Sequence, residues 1–396
     1  MEITIHPHKL EGSIPAIPSK SQAHRLLLCA AFADNVTDLI CPQTNRDIQA
    51  TVDCLNAIGA DITRTSHGYR IRPIRTVPDT AVLNCCESGS TLRFLLPIAG
   101  ALGIDARFSM EGRLSQRPLS PLWEEMERMG CRLTRPDADH IRCQGKLHPG
   151  QYQIDGGVSS QFVTGLLFAL SLLDDSSTLE LTGQVESVPY IRMTQTALSL
   201  FGVDTPQTDW RYSVKPAAFH TPGQVQTEGD WSNAAFWLAA KSLGSSVTVS
   251  GLMPDSPQGD RAAAHWLEAL EHWQQIDATH IPDLVPILAV VAGAKEGAVF
   301  TNAGRLRIKE SDRLESAAQL IRGLGGCARI EGDRLIVHGT GYSGGKVDAF
   351  ADHRIAMSAA IAATVCSAPV TITGAEAVAK SYPSFWNDYQ ALGGIL

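Results

Sequence analysis

The chain has no run of 18 or more apolar residues. Its longest candidate, Leu284 to Ala294, is too short to cross a bilayer as a helix. The opening residues, MEITIHPHKLEG, hold neither the hydrophobic core of a signal peptide nor an Arg/Ser-rich transit pattern, so a cytoplasmic location is expected. The nine cysteines include no CxxC pair, and Cys85 and Cys86 form the only close couple. Free thiols fit this better than a disulfide framework or a zinc site. HExxH and GxxxxGK[ST] spacings are both missing, so neither a metal nor a bound nucleotide is expected. Positive charge is not in excess either: a net charge of −8 argues against general nucleic-acid affinity. What remains, 44% hydrophobic and 19% charged over 396 residues, is an ordinary globular composition with two domains as the natural expectation.

What is present is a repeat. Six segments each open on small, polar or charged residues and run into an Ala- and Leu-rich helix. They are SKSQAHRLLLCAAFA from Ser19, ESGSTLRFLLPIAGALG from Glu87, VSSQFVTGLLFALSLL from Val158, GDWSNAAFWLAAKSLG from Gly229, IPDLVPILAVVAGAKEG from Ile281 and ADHRIAMSAAIAATV from Ala351. A second, amphipathic series alternates with them, starting at Asp47, Leu119, Ile191, Arg261, Glu310 and Pro383. Hairpin patterns follow several of these, turning at Ser66–Gly68, Pro136–Asp139 and Glu331–Asp333. The unit reads helix, strand, helix, hairpin. The fourth unit has no room for a hairpin between Trp273 and Ile281, and the sixth ends with the chain. The strand-like first segment is expected to supply the missing edge. That makes one domain discontinuous: 1–17 plus 229–396 as a lower domain, 18–228 as an upper one, three units each. Helices without a polar face belong at the centre of each domain, with sheets and amphipathic helices around them.

Helix N-termini attract anions through unpaired N–H groups and the helix dipole. This acidic chain concentrates cations there. The first start has Lys20, Ser21 and Arg25; the second has Gly89, Ser90 and Arg93, with Arg117 and Pro118 next; the third has Ser159, Ser160 and Gln161. The fifth contributes Asp283, and its partner helix opens IKESDR, with Lys309, Glu310 and Arg313. The sixth has His353 and Arg354, and Lys380 precedes the last helix. Guanidinium forks and ammonium groups in this number imply substrates with several negative groups. Left without ligand they are expected to repel one another, so the domains should rest apart and close on substrate. Asp283 and Glu310 are candidate proton carriers.

The strings SKSQAHR, ESGSTLRF, RP at 117–118, SSQF, PYIRMT, HIPD, IKESDR, DHRIAM and AKSYP, in this order and spacing, resemble the enolpyruvyl transferase family, and within it the EPSP synthases. The resemblance covers essentially the whole chain. It implies an α/β (α+β) fold of two domains, an inside-out α/β barrel of six βαβαββ units with the active site in the interdomain cleft. It also implies transfer of the enolpyruvyl group of phosphoenolpyruvate to the 5-hydroxyl of shikimate 3-phosphate, by a monomer without cofactor. By position, Lys20, Ser21, Arg25, Ser159, Ser160, Gln161, Ser187, Asp283 and Lys309 would hold shikimate 3-phosphate, with Tyr190 nearby. Lys20, Gly89, Arg117, Gln161, Arg313, Arg354 and Lys380 would hold phosphoenolpyruvate. Asp283 would be the base for the 5-hydroxyl, Glu310 the acid for the methylene, and Lys20 would touch both substrates. Arg93 and His353 fit supporting roles.

Three positions depart from the family pattern: Glu87 stands where Asn usually opens the motif, with Ser90 in the Thr place; Arg305 replaces an Asn, and Arg192 an Asp. A nearby cation is expected to pair with Glu87. Two other readings are an enolpyruvyl transferase acting on a UDP-sugar and a non-catalytic anion-binding protein. The first is disfavoured because GRLSQRP, from Gly112 to Pro118, has neither the Cys nor the Asp usual in that enzyme's loop.

Overall fold

The computed structural model describes residues 1–396. The chain divides into two compact units, Met1–Ser19 with Glu228–Leu396 and Lys20–Thr227, each with its own hydrophobic core. The two chain segments that leave the first unit run side by side, with the Ser19 amide donating to the Glu228 carbonyl at 2.8 Å.

Six small sheets carry the repeat. In the second unit of the repeat, Thr80–Asn84 pairs in parallel with Asp105–Ser109, and the hairpin of Cys131–Asp137 and His140–Gly145 adds to it antiparallel. Parallel neighbours cannot be joined by a tight turn, so a crossover is needed, and the apolar helix Gly89–Leu102 provides it. The same order recurs with Gln151–Asp155 and Ser177–Thr182 around the helix Ser160–Ser171, and with Gln274–Asp277 and Gly297–Thr301 around Val285–Ala294.

The remaining sheets are completed by distant chain. Gln224–Gln226 runs parallel to Thr37–Ile40 and so closes the first sheet from the far end of its unit. Glu11–Pro15 pairs in parallel with Ser246–Ser250, giving a two-stranded fourth sheet without a hairpin. Glu2–Ile5 lies antiparallel to Val370–Thr373 in the sixth. The first eighteen residues, read as one strand-like edge, thus serve two sheets.

The six apolar helices are buried almost all round. Nine of the ten residues of Val285–Ala294 are buried, which follows from a sequence with no polar face to turn outward. Their ends are set by local chemistry. Ser88 caps Gly89–Leu102 by accepting from the Thr91 amide, and Gly103 ends it at φ 73°. Two starts fall later than the sequence pattern suggests. The fifth apolar helix begins at Val285, so Asp283 lies in the turn before it, and the IKESDR helix begins at Arg313, capped by Asp312. Lys309 and Glu310 therefore sit in the connection between a short 3-10 turn, Gly304–Ile308, and that helix.

The helices Gly89–Leu102 and Ser160–Ser171 cross closely at Gly165, where a Cβ would run into the Arg93 carbonyl oxygen and lie 2.8 Å from Pro97 Cγ. Gly165→Val should lower the unfolding free energy by about 1–3 kcal/mol through overpacking. Urea denaturation checks this, and an unchanged midpoint would refute so tight a crossing.

Candidate active site

Five of the six non-glycine residues with positive φ lie just ahead of the polar helix starts: Cys86 (48°), Ser187 (54°), Asn302 (54°), Phe350 (52°) and Ala351 (53°); the sixth, Asp209, is in a hairpin turn. Such left-handed positions are costly and persist where surrounding structure enforces them, commonly at functional sites. Ser187 is also the N-cap of Val188–Leu200.

In the unit formed by Met1–Ser19 and Glu228–Leu396, one wholly buried guanidinium organises the site. Arg313 Nε donates to Asp352 Oδ2 at 2.9 Å, Nη1 to Asp283 Oδ1 at 2.7 Å and Nη2 to Glu310 Oε2 at 2.7 Å. Burial alone would lower its pKa, but Asp352, Glu310 and Asp283 outweigh that and raise it. Asp352 is itself fully buried and caps the helix His353–Ala363, accepting from the Arg354 amide at 2.9 Å. Arg354 Nη2 reaches Asp283 Oδ2 at 3.1 Å and Ser232 Oγ at 2.7 Å, and Ser232 in turn donates to Asp260. Lys309 Nζ stands 3.8 Å from Asp283 Oδ1.

These contacts set the charges. Burial would raise the Asp283 carboxyl, but Arg354, Lys309 and Arg313 together hold it well below the usual carboxylate range. Lys309 is pushed down to about 8 by burial, with Arg305 and Arg313 adding to the effect and Asp283 and Glu310 opposing it. Burial and the nearby Asp283 charge raise Asp260 to about 6 against Arg354 and Ser232. His353 is buried with Nδ1 3.9 Å from Asp352 Oδ1. Lys380 ends the turn Ala375–Lys380; the next residue, Ser381, donates to Asn233 Oδ1 at 3.5 Å.

In Lys20–Thr227, Lys20 Nζ pairs with Asp47 Oδ2 at 2.8 Å, both largely buried. A Cβ on Gly89 would stand 2.8 Å from Arg117 Nη1, so glycine lets that guanidinium lie against the helix start. Arg93 donates to Gln161 Oε1 at 2.7 Å and to the Pro118 carbonyl at 3.0 Å, while Gln161 Nε2 donates to Ser90 Oγ at 3.0 Å. Gly89, Ser90, Arg93, Arg117 and Gln161 thus form one cluster. Glu87 lies against Gly112, on the loop that leads to Arg117; its carboxylate occupies the space a Cβ there would take. Ser159 caps its helix by accepting from the Gln161 amide, and Ser160 is buried beside it. Arg25 is buried, with donors on Thr194 Oγ1, Thr164 Oγ1 and the carbonyls of Ser21 and Tyr190. Arg192 is exposed on its helix.

The expected mutual repulsion of the cations is offset inside each unit by interleaved acids, although Lys309 still feels Arg305 and Arg313. Arg313, Arg354 and Lys309 are interleaved with Asp283, Glu310 and Asp352, and Lys20 with Asp47. Sequence reasoning missed Asp352, Asp47, Asp260 and Ser232. The first two could have been found as acids at or just after a helix cap, where a carboxylate faces the N-terminus.

The EPSP synthase (3-phosphoshikimate 1-carboxyvinyltransferase) family model matches residues 5–389. The chain belongs to this family. Curated relatives named 3-phosphoshikimate 1-carboxyvinyltransferase include one from Clostridium kluyveri, 38% identical over 99% of this chain and 97% of its own. Another, from Clostridium perfringens, is 36% identical over 100% and 99%. The solved EPSP synthase of Acinetobacter baumannii superposes with a TM-score of 0.82 at 22% identity, covering 99% of this chain and 98% of its own, a likeness of fold.

Asp260 gives a pH test with a defined sign. Its folded pKa of about 6 exceeds the ordinary 3.8, so the folded state binds the extra proton and stability falls as pH rises through that interval. Asp260→Asn removes this loss. Its unfolding free energy relative to the parent should increase between those two pH values; a constant difference would remove the assigned cause.

Proposed function

We propose that the residues gathered in the two units carry the reaction of this family in the roles given below. The chain transfers the enolpyruvyl group of phosphoenolpyruvate to the 5-hydroxyl of shikimate 3-phosphate and releases phosphate, a step of the shikimate pathway. The observation that supports the assignment most is the joint hold of Arg313 on Asp283 and Glu310, which places two acids on one buried cation.

Glu310 protonates the methylene carbon of phosphoenolpyruvate, which makes C2 electrophilic. The shikimate 5-hydroxyl attacks C2 while Asp283 accepts its proton, giving a tetrahedral intermediate. Phosphate then leaves and a proton returns from the methyl group, leaving the enol ether. Positive charge develops at C2 beside substrate anions, so fixed cations on those anions and carboxylates near C2 stabilise the path. Arg117, Arg313, Arg354 and Lys380 take the phosphoenolpyruvate anions, with Gly89 allowing close approach. Ser21, Ser159, Ser160, Ser187 and Lys309 take shikimate 3-phosphate, and Lys20 and Gln161 touch both. Arg25 supports this end through the Ser21 and Tyr190 carbonyls. Arg93 orients Gln161, and His353 supports the site from its buried place beside Asp352.

Asp283 is a poor base while Arg313, Arg354 and Lys309 hold its carboxylate low. Substrate anions placed beside Arg313 and Arg354 offset the positive field on Asp283 and raise its basicity toward a useful value. The base is thereby strengthened when the substrate to be attacked is in place. The working unit is taken as a cytoplasmic monomer that needs no cofactor.

Asp283→Asn and Glu310→Gln should each reduce phosphate release by about 10²–10⁴-fold with substrate affinity near that of the parent. Turnover preserved in both variants would refute the proton-transfer roles. Release with shikimate 3-phosphate but none with UDP-N-acetylglucosamine is expected, whereas binding without release would favour a non-catalytic anion binder.

Lys309 loses its charge above pH about 8. The KM for shikimate 3-phosphate should therefore rise above that pH, and Lys309→Arg should move the rise upward. Arg305→Asn should move it upward too, because one of the charges depressing Lys309 is gone. A pH profile indifferent to both substitutions would disprove the assignment.

A further inference from the structure

A chain of buried hydroxyls runs beneath the Lys20–Asp47 pair. His24 Nδ1 lies 2.7 Å from Thr51 Oγ1, Thr51 Oγ1 lies 2.7 Å from Thr91 Oγ1, and Thr91 Oγ1 lies 2.7 Å from Ser88 Oγ. None of the four side chains is more than 1% exposed. The spacing is regular. His24 follows Lys20 by four residues and Thr51 follows Asp47 by four, so on each helix the two positions share a face one turn apart. The ion pair and the His24–Thr51 bond are successive rungs between the helices Lys20–Ala31 and Arg46–Ala57. Thr91 extends the second rung to the helix that opens at Gly89, and its hydroxyl also lies 3.5 Å from the Asp47 carbonyl.

The chain has one favoured direction. His24 Nε2 is buried with no hydrogen-bond partner. An unpaired ring acceptor costs less than a buried unpaired N–H, so the proton sits on Nδ1 and is donated to Thr51 Oγ1. Thr51 then donates to Thr91, and Thr91 to Ser88, whose oxygen also accepts the Thr91 amide at 3.2 Å. Burial, the largest influence on His24, pushes its pKa down to about 3 with Lys20 and Arg25 adding and Asp47 opposing, so the ring stays neutral and the direction fixed.

We infer that the His24–Thr51–Thr91–Ser88 chain positions Lys20 and the Gly89 helix start for enolpyruvyl transfer. It sets the relative height of three helix starts by directional bonds that apolar packing alone would leave free to slide. The four side chains are positioning residues; the inference rests on the substrate-binding role assigned to Lys20.

Thr51→Val keeps the shape and breaks the chain at its centre. Its kcat/KM for phosphoenolpyruvate should fall about tenfold or more, as a small displacement of a binding group does, while Thr51→Ser stays within about threefold of the parent. Thr91→Val, which breaks the chain one bond further on, should act in the same direction, so the test survives a failure of Thr51→Val to fold. Urea midpoints measured alongside separate loss of fold from loss of positioning. Thr51→Val and Thr91→Val that are less stable yet catalyse within about twofold of the parent would show a structural role only and overturn the inference. A Thr51→Ser as slow as Thr51→Val would overturn it as well. Lys20→Met is assayed in parallel: if it keeps full turnover, the role of Lys20 fails and the inference with it. If Lys20→Met is inactive and the threonine variants are normal, only the inference fails.

Discussion

A guanidinium cannot shed its charge at any working pH, so a wholly enclosed Arg313 demands carboxylates around it. Asp352 meets this demand from the next apolar helix start, fully buried and bonded to Nε and Nη2. Three N–H bonds remain, and two of them fix Asp283 and Glu310. The geometry of both proposed proton carriers therefore depends on one cation held from behind by a third acid. Leaving such a charge without its partner typically costs about 3–5 kcal/mol, which is why Asp352 is as much a part of the site as the residues that face substrate.

The other unit restrains its cations as well, with neutral groups among their partners. Lys20 pairs with Asp47, and Arg93 donates to an amide oxygen and a main-chain carbonyl. Glycine at 89 contributes by absence, since any side chain there would displace Arg117. The site is thus built from helix starts whose dipoles favour anions, with each cation restrained by a neighbour rather than left mobile in solvent.

Much of the fold was legible because its unit repeats. Helices such as Val285–Ala294 have no polar face and must be buried, and their recurrence disclosed six units before any contact was known. The hairpins were legible from alternation around turns, and the missing hairpin of the fourth unit from a shortage of residues. The split of the first eighteen residues between two sheets was not legible, because Glu2–Ile5 and Glu11–Pro15 look alike in sequence and differ only in partner. Helix starts near Asp283 and Glu310 were misjudged by a few residues, since Pro and polar residues allow several local conformations and the Asp312 cap decides among them.

By itself the sequence determined the periodicity, the apolar helices and which cations stand at their starts, because these depend on residue type and spacing along one chain. Only the tertiary structure decided which acids restrain those cations. Asp352, Asp47 and Asp260 meet their partners across 27 to 39 residues of chain or through an intervening hydroxyl, and such distances close only when separate helices pack. The same is true of the rung from His24 through Thr51 to Thr91. Hydroxyls carry no charge and no periodic signature, so their alignment becomes visible only when three helix starts are fixed in space.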